Sequence, residues 1–242
     1  MSSTKGLEMM NEISFVIPAY NEAENIDSVI RACQSVTKRI SERYEIIVVD
    51  DGSTDRTREI VERIAEGDQN VLLVHHPKNQ GIASATRDGL AAARYEHIFY
   101  MDGDGQFDIY EIHKLLPYCM DFDFVIGYRI NRHDPIHRRI NAFMYNQFIR
   151  FLFHLPLQDV NCAFKLMKKK SLNSLRIHSN SAFYLAELLI RAVQSGMTIH
   201  EVSVHHYPRC FGRPSGSNIR VITGALRDLF LFLFKWERDD GK

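Results

Sequence analysis

Short runs of Val, Ile and aromatic residues recur through the first half of the chain, with helical patterns between them. Ile13–Pro18 (ISFVIP), Glu45–Asp50 (EIIVVD), Val71–His75, His97–Asp102 (HIFYMD) and Phe122–Gly127 (FDFVIG) read as strands. Ala23–Arg39 reads as a helix with Ile26, Ile30 and Cys33 on one face. A second helix runs to Ala65, with Ser53 and Thr54 as N-cap signals and Gly67 as its stop, and Ile82–Arg94 gives a third. Near-continuous apolar strands alternating with helices imply an α/β fold, a mostly parallel sheet covered on both faces. Ligands of such sheets sit beyond the carboxyl ends of the strands. Those ends read Pro18-Ala19-Tyr20-Asn21-Glu22, Asp50-Asp51-Gly52-Ser53 and Asp102-Gly103-Asp104, so polar and acidic side chains gather where a ligand would lie.

The second half is less regular. Helices are expected over Arg138–Phe153 and Ala182–Ser195, and strands at Phe164–Met167 and Thr198–Val204. A Gly/Pro loop, Tyr207–Ser217 (YPRCFGRPSGS), carries Arg209 and Arg213, and a last helix runs from about Ile219 to Trp236. Neither a repeat nor a linker interrupts the chain. The expectation is one domain over residues 1–217, followed by an amphipathic helix and tail over 218–242.

Thirty basic and thirty acidic residues cancel, so the overall charge gives no case for a nucleic-acid partner. Four scattered cysteines without a CxxC pair argue against a disulfide framework and fit a reducing, cytoplasmic compartment. Residues 1–11 carry no signal-peptide pattern. No stretch reaches the ~18 apolar residues of a transmembrane helix; the nearest, Leu226–Trp236, is interrupted by Arg227 and Asp228. A soluble protein, or one bound peripherally at the cytoplasmic face of a membrane, is expected. The last helix has a broad apolar side from Ile222 to Phe234, flanked by Arg220, Arg227 and Lys235. It could lie on a membrane, pack on the domain or form a contact between copies.

Asp102-Gly103-Asp104-Gly105-Gln106 places two carboxylates two residues apart just beyond a strand. Oxygen ligands at that spacing suit Mg²⁺ or Mn²⁺, which commonly bridge to substrate phosphates. An acidic turn capping the next helix explains the triplet equally simply. A calcium-loop reading fails, because the turn glycine would fall on Phe107 and the bidentate glutamate on His113. Neither GxxxxGK[ST] nor a GxGxxG after the first strand is present, which removes the usual kinase, ATPase and dehydrogenase signatures. The pairs His75-His76 and His205-His206 lack further ligands at fixed spacing and read as strand-end residues.

Four motifs come in order, each near a strand end: VIPAYNEAENI (Val16–Ile26), EIIVVDDGSTDRT (Glu45–Thr57), NQGIASATRDGL (Asn79–Leu90) and MDGDGQFD (Met101–Asp108). Together they resemble family-two glycosyltransferases. The likeness continues through VIGYR (Val125–Arg129), Arg138, Asn146, QDVNCAFKLM (Gln158–Met167), Glu187-Leu188 and HYPRCFGRPSG (His206–Gly216), a series similar to the dolichol- or polyprenyl-phosphate mannose and glucose synthase branch. The resemblance implies a GT-A, Rossmann-like fold and inverting transfer from a UDP- or GDP-hexose to a polyprenyl phosphate, aided by Mg²⁺ or Mn²⁺. By position, Pro18, Tyr20 and Glu22 would line the nucleoside pocket, Asp50 or Asp51 would read the base, and Arg87 would lie near the nucleotide. Asp102, Asp104 and Gln106 would organise metal and diphosphate. Arg129, Arg138, Arg209 and Arg213 would meet the acceptor phosphate. Two departures fall on the acceptor side: Arg213 is followed by Pro214-Ser215 where the branch commonly has Ser-Lys after one residue, and Cys162-Ala163-Phe164-Lys165 stands where it often has SGFR.

The acceptor decides what else the site needs. A sugar hydroxyl requires a base, for which Asp159 is the candidate, unless that carboxylate serves to orient Arg129 or Arg138. A lipid phosphate is already anionic and needs positioning by arginines instead. The alternatives are a transferase acting on a polysaccharide or glycoconjugate hydroxyl, and a silent nucleotide-sugar-binding subunit in a homo-oligomer or beside a membrane-protein partner.

Overall fold

The computed structural model describes residues 10–131, 136–212 and 219–236. Seven strands form one sheet: β1 (Met10–Ala19), β2 (Ser41–Asp50), β3 (Val71–His75), β4 (His97–Met101), β5 (Phe124–Ile130), β6 (Phe164–Lys168) and β7 (Ile199–His205). Their order is β3-β2-β1-β4-β6-β5-β7, and only β6 runs against the others. The mostly parallel sheet expected from the apolar runs is present. Ile13, Phe15, Val16 and Ile17 are buried along β1, as its unbroken apolar sequence requires for a central strand with both faces covered.

Helices α1 (Ile26–Ile40), α2 (Thr57–Gly67), α3 (Ile82–Ala92), α4 (Ile136–Phe153), α5 (Lys169–Asn173), α6 (Tyr184–Gln194) and α7 (Ile219–Leu231) complete the fold, with a π-helical turn, Phe232–Trp236, after α7. The Ile26, Ile30 and Cys33 face of α1 is buried as read from its spacing. In α3 the small residues have a packing reason: a Cβ on Gly89 would lie 2.5 Å from Val16 Cγ1, so the helix sits close against the sheet.

Some boundaries differ from expectation. β1 and β2 start earlier, at Met10 and Ser41, and β5 extends to Ile130, because pairing with β7 continues through Ile130↔His205. Ser53 and Thr54 do not cap α2. Asp55 Oδ1 accepts from Thr57 N (2.9 Å) at its start, while Ser53 and Thr54 bond to Asn21. The 3-10 turn Ile109–Lys114 went unanticipated, and Asp108 caps it by accepting from Tyr110 N at 2.9 Å. Capping within the acidic run therefore falls to Asp108 and not to Asp102 or Asp104. α7 and the turn after it pack on the domain through buried Leu229 and Phe232, and buried Asp228 accepts from Ser179 Oγ and Asn180 N. No helix among the described residues is long and apolar enough to cross a membrane.

Candidate functional site

Parallel pairing brings the ends of β1, β2 and β4 to one edge, with Ala19 opposite Asp50 and Asp50 opposite His75. The loops beyond them are laced together. Asn21 takes a positive φ of 56°, a conformation asparagine tolerates. It accepts from Thr54 N at 2.8 Å and donates its own N–H to Ser53 Oγ at 2.9 Å. Glu22 N donates to Thr57 Oγ1 (2.8 Å), and Ala23 N to Asp55 Oδ2 (3.1 Å). Gly52 is demanded twice: its φ is +67°, and a Cβ there would meet the Lys78 carbonyl carbon at 2.4 Å. Pro18 is buried, its carbonyl accepting from Gly103 N, whereas Tyr20 is exposed at the rim.

Asp50 and Asp51 are both buried and both engaged. Asp50 Oδ2 lies 2.9 Å from His75 Nδ1, and its Oδ1 accepts from Ser53 N. Asp51 accepts from the backbone N–H groups of Gln80 and Gly81 at 2.8 Å each, and lies 2.8 Å from His76 Nδ1. His76 reaches Asp88 on α3 through its other ring nitrogen (2.9 Å). These aspartates therefore fix the loop that leads into α3, and the two histidines are their partners. The strand-end position of His75-His76 was legible in sequence. Their aspartate partners were not, because the link depends on the β2–β3 register.

The acidic cluster lies at the centre of this edge. Asp104 Oδ1 accepts from Gln106 N at 3.1 Å, closing the turn, and Gly105 has φ +72° within it. Asp102 lies near Tyr100 Oη, which also contacts Thr86 Oγ1. Burial pushes the Asp102 carboxyl up to about 7, the neighbouring Asp104 charge adds to that, and Arg129 opposes it. Burial also raises Glu22, against the pull of Asn25 and Arg209. Arg209 enters from the loop after β7 and bonds Glu22 Oε1, with Nη1 3.5 Å from Asp104 Oδ2 and Nε donating to Phe211 O at 2.7 Å. Gln106 joins the same loop: its side-chain amide donates to Tyr207 O (3.0 Å), and Tyr207 N donates to Gln106 O (2.8 Å).

Among the described residues, no three His, Cys, Asp or Glu side chains form a cage for a metal ion. The donor set nevertheless suits a divalent cation that shares its shell with phosphate, since such ions take one or two protein carboxylates. Asp102, Asp104 and Glu22 crowd negative charge, and a guanidinium already lies against two of them.

Arg129, at the end of β5, grips Asp159 through Nε (2.6 Å) and Nη2 (2.9 Å), and Asn146 Nδ2 donates to the same carboxylate at 3.2 Å. Burial alone would raise the Asp159 carboxyl, but Arg129 and Asn146 outweigh it and hold it well below the ordinary range. Both carboxylate oxygens are thereby engaged. Nearby Lys165 is buried, its Nζ donating to Val160 O at 3.3 Å, and burial lowers its pKa. Arg87 is held by Ser179 O (2.7 Å) and Asn180 Oδ1 (2.9 Å), over the Tyr184 ring. It braces the segment that α7 also grips. The Arg138 side chain and the whole of Arg213 lie outside the described residues.

The family model described as Glycosyl transferase family 2 matches residues 14–176. "Glycosyltransferase AglD" of Haloferax volcanii is 29% identical over 210 residues, 82% of this chain and 33% of that protein. The "Undecaprenyl-phosphate 4-deoxy-4-formamido-L-arabinose transferase" of Yersinia pestis is 29% identical over 218 residues, 89% of this chain and 65% of that one. The chain thus spans about a third and about two thirds of the lengths of these relatives. Among solved structures, glucosyl-3-phosphoglycerate synthase of Mycobacterium tuberculosis, crystallised with Mn²⁺ and UDP-glucose, superposes with a TM-score of 0.68 at 21% identity, covering 92% of this chain and 78% of that one. At that identity the likeness is one of fold, and the fold is GT-A.

Proposed function

The chain belongs to glycosyl transferase family 2, and on that premise we propose that it transfers a hexose from a nucleotide diphosphate sugar to a polyprenyl phosphate, with inversion and with a divalent cation. One observation carries the reading of the donor side: Asp102, Asp104 and Glu22 converge at the carboxyl edge of the sheet with a surplus of negative charge. Asp102 and Asp104 would hold Mg²⁺ or Mn²⁺ together with the diphosphate. The solved neighbour with Mn²⁺ and UDP-glucose supports that cation class. When bound, the cation would stabilise the charge that develops on the departing diphosphate.

The chain's own residues do the rest. Pro18, Tyr20 and Glu22 border the nucleoside pocket, while Asp50 and Asp51 hold its walls through His75, His76 and the 80–81 backbone. Gln106 ties the turn to Tyr207, which closes the site on the acceptor side. Arg129 presents its guanidinium to the acceptor phosphate in a plane fixed by Asp159, an orienting role that leaves the carboxylate without a proton to take. Arg209, held between Glu22 and Asp104, would meet the acceptor phosphate beside Arg129. A phosphate nucleophile suits this set, because it is already anionic, becomes a dianion above its second pKa of about 6, and needs no base. The undecaprenyl-phosphate relative supports that acceptor class. Such a reaction takes place where water-soluble donor and lipid acceptor meet, at the cytoplasmic face of a membrane.

Incubating the purified chain with UDP- or GDP-hexose, Mn²⁺ or Mg²⁺ and a polyprenyl phosphate tests this reading. Labelled sugar should pass into the organic phase only when cation and lipid are both present. Failure across the donor panel, with transfer to a sugar hydroxyl instead, would overturn it in favour of the hydroxyl-acceptor alternative.

A further inference from the structure

β7 ends the sheet order, with β5 beside it. Its last residue, His205, opens an arm that carries His206, Tyr207 and Arg209. The arm is stitched to the chain that follows the acidic cluster. Tyr207 N donates to Gln106 O at 2.8 Å, and Gln106 Nε2 donates back to Tyr207 O at 3.0 Å. The His206 ring meets Phe107 edge-on, with centroids 5.1 Å apart. Farther along, Glu111 accepts from His205 N at 2.7 Å and lies 2.6 Å from His205 Nδ1. Lys114 Nζ donates to Glu111 Oε1 at 2.6 Å and to Ser203 O at 3.2 Å. From 106 to 114 the partners fall from 207 to 203, so the two segments run side by side in opposite directions.

Glu111 is the densest point of that seam. It is buried, and burial alone would raise its carboxyl, but Lys114 and His205 outweigh that and lower it. The turn it belongs to does not need it as a cap, since Asp108 fills that place. Its partners come instead from β7, at a sequence separation of 94, and Lys114 reaches the same strand at a separation of 89. The arm is thus fixed at two points, Tyr207 by Gln106 and His205 by Glu111. One point would leave a pivot, whereas two set a direction. Arg209 lies four residues beyond His205. Extended chain of that length reaches about 13 Å, so a small rotation at the root grows at the guanidinium.

We infer that Glu111 is a positioning residue: it fixes the root of the arm at His205 and so holds Arg209 where the acceptor phosphate is met. This role rests on the acceptor function proposed for Arg209, and it belongs to a side chain that touches neither substrate. Arg209 itself lies against Glu22 and Asp104, with Nε on Phe211 O. A planar guanidinium that must match phosphate oxygens tolerates little displacement. The His205-His206 pair, which lacks the spacing of a metal site, acquires a purpose here: His205 takes Glu111, and His206 packs on Phe107.

Glu111→Gln keeps the shape of the side chain, removes its charge, and should melt close to the parent. Hydrogen exchange over 203–209 should quicken in E111Q, while exchange over β5 stays as in the parent. The KM for a polyprenyl phosphate should rise about tenfold, with kcat and cation-dependent nucleotide-sugar binding unchanged. In an Arg209→Ala background E111Q should raise that KM no further, because it acts through Arg209. Lys114→Met, which removes one partner from a half-buried position, should give a smaller shift of the same kind and serves if E111Q melts early. Unaltered exchange over 203–209 overturns the inference, as do a KM like the parent's and effects that add to those of R209A. Quickened exchange across the whole sheet reduces Glu111 to a stabilising contact and overturns it too. Quickened exchange confined to 203–209, in a chain that yields no lipid-linked sugar, keeps the anchor and refutes the acceptor reading.

Discussion

Two aspartates, the half-buried Asp102 and the buried Asp159, shift in opposite directions. On the donor side, burial and the adjacent Asp104 push Asp102 up to about 7, against the pull of Arg129. On the proposed acceptor side, Asp159 is the more enclosed of the two, yet Arg129 and Asn146 hold it well below the ordinary carboxylate range. The acceptor side supplies its own cation and is electrostatically complete. Among the described residues, the proposed donor side gathers Asp102, Asp104 and Glu22 around Arg209, a donor set that suits a divalent cation sharing its shell with phosphate.

Breaking the complete side should have the larger effect on folding. Arg129→Ala leaves Asp159 buried without its partner and should destabilise the fold by about 3–5 kcal/mol. The double variant R129A/D159N should recover part of that loss in urea melts. Equal destabilisation in single and double variants would deny the pair its role.

The pH dependence should separate the two aspartates next. A carboxyl raised from 3.8 to about 7 keeps its proton longer in the folded chain, so Asp102 lowers stability as pH rises through that window. Asp102→Asn should flatten that decline in the cation-free protein. Asp159 has the opposite sign: its contribution is present above the ordinary carboxylate value and is lost as pH falls below it. Melts between pH 4 and 8 should therefore respond to D102N, whereas acid unfolding should respond to D159N. The smallest effect belongs to Asn146→Ala, which removes one 3.2 Å bond to Asp159 and should cost about 1 kcal/mol, read as a shift in the denaturation midpoint.

The same division governs what the sequence disclosed. The strands and carboxyl-edge loops of the first half were legible, because strands buried on both faces write continuous apolar runs, whereas the partners of Asp50, Asp51 and Arg87 were not. Asp102 and Asp104 could be placed beyond β4 from spacing alone. Local turn chemistry was less legible: Ser53 and Thr54 looked like caps for α2, but a partner from another loop, Asn21, claims them. The acceptor half depends on contacts across long separations. Arg129 meets Asp159 thirty residues away, and Arg209 meets Glu22 at a separation of 187. The first pairing was one of the two roles left open for Asp159, whereas nothing local pointed to the second. The apolar pattern of α4 was readable as a helix, but the exposure of Phe143, Phe148 and Phe151 was not, since periodicity cannot say which face the fold covers.

Calorimetric titration of UDP- and GDP-hexoses into the parent chain and Asp104→Asn, each with Mn²⁺ and with a chelator, tests most directly whether the donor side is built for an external cation. Binding should require the cation and should weaken about a hundredfold or more in D104N, while the melting transition stays near that of the parent. Binding that persists undiminished in the chelator, or that D104N leaves unchanged, would contradict the account.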